Sequence, residues 1–257
     1  MKKIFIFFII FLNIQSFTLT AQDKIGLAQK KAREIVRQII KPHYTEFEKI
    51  LLLHEYITDN VSYGLVNNET SAYTALIHNR ADCVGFARSL DILFKTAGLD
   101  SFSVVRRKGH LWVRVKLNGK YYNIDPTWSA LKSNWAQYGW FLLSDRQNID
   151  SGKGLIHVLD SGENYPAAHE EYVFSERDYI HKQELKCPKK LRLIGRISLP
   201  GSETAPEAGI IGHINGNRFS IPAGKNSATF IASIDRNNSN PALHYYFSDN
   251  DENPKYV

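Results

Sequence analysis

Cys83, His110 and Asp125 supply a thiol nucleophile, an imidazole base and a carboxylate, in that order and spaced by 27 and then 15 residues. Together these groups can cleave or transfer an acyl group. A thiolate attacks a carbonyl, an imidazole holds the thiolate and then protonates the departing amine, and a carboxylate fixes the imidazole tautomer and supports its positive charge.

The elements that position them follow from local pattern. In the run Asp82 to Ala97, residues Phe86, Leu90, Leu93, Phe94 and Ala97 recur at helical spacing, and Gly98 supplies a stop. Asp82 is the expected N-cap, which puts Cys83 in the first turn. There the helix dipole and free N–H groups favour thiolate over thiol, and the Cys83 N–H is a candidate oxyanion donor. Asn118-Gly119 is a two-residue hairpin signal between strand-like runs, His110 to Leu117 and Lys120 to Thr127. Pairing Leu117 with Lys120 sets Trp112 opposite Asp125 and His110 opposite Thr127. His110 and Asp125 then share a face as diagonal neighbours, roughly 7–8 Å apart at the backbone. The opposite face carries Leu111, Val113, Val115 and Leu117 against Tyr122 and Ile124, the more apolar set and hence the expected core side. Trp112 and Trp128 are candidates to wall the site, a position that core packing would explain equally well.

These same segments resemble the transglutaminase-like superfamily of papain-type thiol enzymes, in its bacterial secreted form. Asp82-Cys83-Val84-Gly85-Phe86-Ala87 is similar to the family's nucleophile motif, Gly109-His110-Leu111-Trp112 to its histidine strand, and Tyr122-Asn123-Ile124-Asp125-Pro126-Thr127-Trp128 to its aspartate strand. The segment Glu46 to Ala75 reads as the family's helical lead-in, and Tyr138 to Asp145 as the strand that follows the core, so the resemblance spans roughly residues 25 to 175. It implies a Cys83–His110–Asp125 triad and a thioester intermediate; with no CxxC, no HExxH and no phosphate-cradling glycine loop in the chain, no cofactor or metal is expected. Many animal transglutaminases carry Trp directly after the nucleophile; here it is Val84, which weighs toward hydrolysis by a peptidase or amidase over amine transfer. Protein, peptide and cell-wall peptide substrates all fit. A non-catalytic surface-binding or scaffold protein is the reading from another class, and retention of all three residues argues against it.

Length and 43% hydrophobic content suit one large domain and a small one. Lys2 and Lys3, the apolar run Ile4 to Leu12 and the small Ala21 read as a signal peptide over residues 1–21, too short for a comfortable membrane span, and imply a secreted or envelope protein. Without those two lysines the net charge of +6 becomes +4, with the basic residues dispersed, and no nucleic-acid partner is expected.

The expected architecture is α+β: N-terminal helices at Asp23 to Lys41 and Glu46 to Asn60, then the Cys83 helix packed on an antiparallel sheet, within a catalytic domain over 22–181. The first helix presents Ile25, Ala28, Ala32, Ile35, Val36 and Ile39 on one face; Thr45 and Glu48 form a capping box for the second, whose His54 reads as a core residue. Strands are expected at Phe102 to Arg106 and Tyr138 to Leu143. His157, His169, His213 and His244 sit in no partner pattern. A basic linker spans 182–190, followed by a small all-β module over 191–257 with strand-like runs Leu191 to Leu199, Gly209 to Ile214, Arg218 to Pro222 and Ala228 to Ile234. The module resembles β-sandwich modules of secreted bacterial proteins that bind surface polymer, and is short enough to be a partial one. Asp249, Asp251 and Glu252 lack the spacing of a calcium loop.

Only Cys83 and Cys187 are present, and two isolated cysteines make a poor disulfide framework. Thiol titration of the unreduced protein should therefore count two free thiols; none would mean a Cys83–Cys187 bridge and a structural role for Cys83.

Overall fold

Reciprocal capping boxes start the helical layer. Thr20 Oγ1 accepts from the Asp23 N–H while Asp23 accepts from the Thr20 N–H, opening α1 (Ala21–Ile39); Thr45 and Glu48 do the same for α2 (Glu46–Asn60). The computed structural model describes residues 19–106, 109–131, 137–149, 157–159, 164–175, 177–181, 184–185, 190–199, 201–205, 210–214, 217–221, 223–235, 245–248 and 254–256. Most of the expected signal segment, Cys187, His244, and Asp249 to Glu252 lie outside these residues. No described helix is long and apolar enough to cross a membrane.

After α2 come β1 (Ser62–Tyr63), α3 (Ala72–His78), β2 (Arg80–Ala81) and α4 (Cys83–Thr96), with β1 and β2 paired in parallel. The sheet that follows has the order β3 (Ser101–Arg106), β4 (His110–Leu117), β5 (Lys120–Ile124), all antiparallel. Asn118 and Gly119 both take the left-handed φ, 52° and 82°, that a two-residue hairpin loop requires. The pairing Leu117–Lys120 sets the expected register.

Three sequence expectations change here. The second strand stops at Ile124 instead of running to Thr127, because Pro126 starts the short helix α5 (Pro126–Leu131); the ladder therefore ends at Val113–Ile124, and the Trp112–Asp125 and His110–Thr127 pairs do not form. The expected strand Tyr138 to Leu143 is mostly turn, with one bridge, Asn123–Leu143, before α6 (Asp145–Ile149). Leu142 sits there at φ 56°, which breaks an extended run. Ile25, expected on the buried face of α1, is half exposed, while Ala28, Ala32 and Ile35 are buried; Ile25 borders an open groove lined also by Tyr73 and Ile92.

The main core joins Phe47, Ile50, Leu51 and Ile57 of α2, Phe86, Leu90 and Leu93 of α4, and the predicted apolar face of the hairpin, Val113, Val115, Leu117, Tyr122 and Ile124. Buried His54 lies in this region, its Nε2 3.0 Å from the Gln137 carbonyl. The other hairpin face is also buried, by polar groups. Asn123 Oδ1 accepts from Trp112 Nε1 at 2.9 Å and Arg114 Nε at 3.1 Å; Arg114 pairs with Asp145, and Asp145 Oδ2 accepts from the Ala168 N–H at 2.9 Å. Each member is satisfied, as buried polar groups must be. The result clamps Asp145, Pro166 and Ala168 over the sheet.

Leu185, in the expected linker, is buried, and Glu184 pairs with Lys41 and His43. Beyond it lie β6 (Lys190–Ser198), β7 (Ile210–Ile214), β8 (Asn217–Ile221), β9 (Ser227–Asp235), β10 (Tyr245–Ser248) and β11 (Pro254–Tyr256). They form a β6–β9 pair and a sheet ordered β11-β10-β7-β8, with a small core of Phe219, Ile221, Ala228 and Ala232. The four expected strands are present within a residue or two; β10 and β11 were not foreseen.

Gly85 sets how closely the Cys83 helix approaches its support. A Cβ there would stand 2.3 Å from Ala81 Cβ and 2.8 Å from the Ser71 carbonyl. Gly85→Ala should lower stability by about 1–3 kcal/mol, the usual range for overpacking, and slow alkylation of Cys83; an unchanged melting temperature would contradict this close packing.

Candidate active site

Cys83 is the first residue of α4, and Asp82 Oδ1 caps that helix by accepting from the N–H groups of Val84 at 2.9 Å and Gly85 at 3.3 Å. Thr70 donates its hydroxyl to the same oxygen. Cys83 is half-buried, and its Sγ lies 3.8 Å from the Gly109 carbonyl, one residue before His110. The predicted N-cap and first-turn position are both present.

His110 opens β4, and its Nε2–H donates to Asp125 Oδ2 at 2.6 Å. That bond fixes the tautomer and leaves Nδ1 for Cys83. Burial opposes charge on His110, but its hydrogen bonds to Asp125 and Cys83 outweigh this and hold it protonated up to about 9. An imidazolium beside a thiol favours the thiolate.

Asp125 meets His110 as expected, but from the N-cap of α5 and not from a strand. Its Oδ1 accepts from the N–H groups of Thr127 at 2.9 Å and Trp128 at 3.0 Å, and its own N–H donates to the Trp140 carbonyl at 2.9 Å. Asp125 is fully buried. Burial alone would neutralise it; the two imidazoles on Oδ2 instead hold its carboxyl down at about 2.

The second imidazole is His157, which sequence reasoning passed over. Its Nε2 lies 2.8 Å from Asp125 Oδ2. The ring packs edge-on to Trp112, at 5.2 Å and 80°, and tilted against Trp140, at 4.9 Å and 31°. Trp112 is fully buried and packs against both His110 and His157. Trp128 instead packs against Trp140, 6.0 Å away, and it is Trp140 that covers His157. Flanked by Ile156 and Val158, His157 carries no local signal that could have marked it.

His110, Asp125 and His157 offer three metal-ligand atoms within 4.8 Å of one another. The two nitrogens, however, stand 2.6 and 2.8 Å from one carboxylate oxygen. Those are hydrogen-bond separations, shorter than the ~3.3 Å edge between ligands of a tetrahedral zinc. The arrangement is a shared-acceptor cluster.

The elevated His110 value has a sign. Stabilisation from the charged imidazole is fully present below its ordinary value of 6.5 and is lost as pH rises through about 9. The melting-temperature gap between the wild type and His110→Gln should therefore be largest near pH 6 and narrow by pH 10; a constant gap would refute the ion pair.

A family model described as the transglutaminase-like superfamily matches residues 33–126, a span that contains Cys83, His110 and Asp125 and stops before His157. Among solved structures, the chain is similar to a crystal structure of a TGase at 20% identity, with TM-score 0.34, over 44% of this chain and 35% of that one. It is similar also to a Cytophaga hutchinsonii protein named as a candidate cysteine protease, at 20% identity and TM-score 0.32, over 42% of this chain and 43% of that one. The chain thus spans well under half the length of either. No curated protein matches. Over residues 33–126, the chain is similar to the transglutaminase-like superfamily.

Proposed function

We propose that this protein is an exported thiol enzyme that acts on carboxamides, with Cys83 as nucleophile, His110 as base and acid, and Asp125 as the group that orients His110. The observation that carries this reading is the short His110–Asp125 bond beside a half-buried cysteine at a helix N-terminus. The Cys83 thiolate adds to the amide carbon, and negative charge moves to the carbonyl oxygen. The Cys83 N–H is the donor proposed to receive it, since the Asp82 carboxylate takes those of Val84 and Gly85. Collapse breaks the C–N bond, His110 gives its proton to the amine, and a thioester remains. Water then adds to the thioester with His110 as base, releasing a carboxylic acid and the thiol.

Hydrolysis is favoured over amine transfer because Val84 replaces the tryptophan that follows the nucleophile in many animal transglutaminases. Proteins, peptides and cell-wall peptides are the substrate class. The basic start and apolar run Ile4 to Leu12 support action outside the cytoplasm, with the C-terminal β-module as a spacer or a contact to surface polymer.

Alkylation tests the nucleophile before any substrate is known. Iodoacetamide at about pH 6, well below the ordinary thiol value of about 8.5, should label Cys83 quickly and selectively, as read by intact mass and peptide mapping. Cys83→Ala should abolish turnover of amide substrates without loss of fold, whereas Cys187→Ala should change little. Slow labelling at pH 6, or turnover by Cys83→Ala, would overturn the mechanism.

A further inference from the structure

Two imidazoles converge on Asp125, yet the chemistry above uses only one. We propose that His157 is a positioning residue of this site: its Nε2–H donates to the same carboxylate oxygen that His110 binds, holding that oxygen in line with His110 and sealing it from water. The inference rests on the thiol-enzyme reading and deepens it.

Geometry carries the assignment. Asp125 Oδ1 is occupied by the N–H groups of Thr127 and Trp128, so the α5 cap fixes one end of the carboxylate. Only Oδ2 faces the imidazoles, and it takes His110 at 2.6 Å and His157 at 2.8 Å. The His157 side chain is fully buried, whereas that of His110 keeps 13% of its surface exposed. The two rings lie 5.2 Å apart and nearly perpendicular at 77°, so they approach one oxygen from different directions. Trp112 and Trp140 hold the His157 ring. Its Nδ1 is buried and has no hydrogen-bond partner among the described residues, so the tautomer with its proton on Nε2 satisfies the ring best and makes it a donor to Asp125.

The consequence for His110 follows from desolvation. A buried carboxylate with one donor on Oδ2 competes for the His110 proton; a second donor stabilises its charged form and leaves that proton on the imidazole. The titratable groups around this cluster are His110 on β4, Cys83 and the capping Asp82 at the head of α4, and Tyr63 on β1, which feels the charge of both Cys83 and Asp82. Trp112, Trp128 and Trp140 add no charge.

The test is the pH profile of Cys83 alkylation by iodoacetamide, with melting temperature measured on each variant. His157→Phe keeps an aromatic ring without a donor. It should label Cys83 about tenfold more slowly at pH 6, the effect of one pKa unit, with the midpoint of its profile shifted toward an ordinary thiol. His157→Gln, whose amide can donate, should recover most of the rate. Should His157→Phe fail to fold, His157→Leu gives the same reading. A variant with a lower melting temperature but an unmoved profile would make His157 a packing residue and overturn this inference alone. A wild type whose Cys83 labels only near pH 8.5 would overturn the thiol-enzyme reading beneath it.

Discussion

The carboxylate of Asp125 is the group on which the site's geometry depends. It is fully buried, and such a charge is tolerated only when its oxygens are matched by donors. Here one oxygen caps α5, the other receives two imidazoles, and the residue's own N–H is bound by Trp140. Five pieces of chain are tied at one residue: the end of β5, the start of α5, the head of β4, the turn around Trp140, and the segment that carries His157. Loss of any of these donors would leave buried charge uncompensated, so the charge specifies the local fold as well as serving His110.

The same principle holds one step along the hairpin. Arg114 and Asn123 lie on the face of β4 and β5 that an alternating pattern assigns to solvent, yet both are buried, bonded to each other and to Asp145 of α6. A sheet with an apolar face against α2 and α4 and a polar, satisfied face under Asp145, Pro166 and Ala168 is covered on both sides. That covering excludes water from Asp125 while Cys83 stays half-buried. Placement of Cys83 depends in turn on Gly85, because only a residue without Cβ lets α4 come so close to Ala81 and Ser71.

The family model ends at Pro126, and the site described here extends beyond it. The matched segment holds Cys83, His110 and Asp125, the three groups proposed to bear the chemistry. Trp140 and His157, which enclose the carboxylate, come from the following segment.

Much of this was legible in the residues, for reasons that are local. Helical spacing with Asp82 ahead of Cys83 specified a capped helix, because capping and burial act within a few residues. Asn118-Gly119 specified the hairpin and its register, because few residues tolerate two consecutive left-handed φ values. That register set β4 beside β5, while Asp125 meets His110 from the N-cap of α5, one residue past the last ladder pair. Only the tertiary structure decided the rest. Alternation alone predicts a strand through Asp125, but Pro126, which cannot donate to a ladder, starts a helix. Tyr138 to Leu143 has a strand's composition, but Leu142 at positive φ bends it into a wall. His157 lies 32 residues from Asp125 in sequence. No periodicity links them, since their meeting depends on the Arg114–Asp145 clamp and on the tryptophans that hold the imidazole in place.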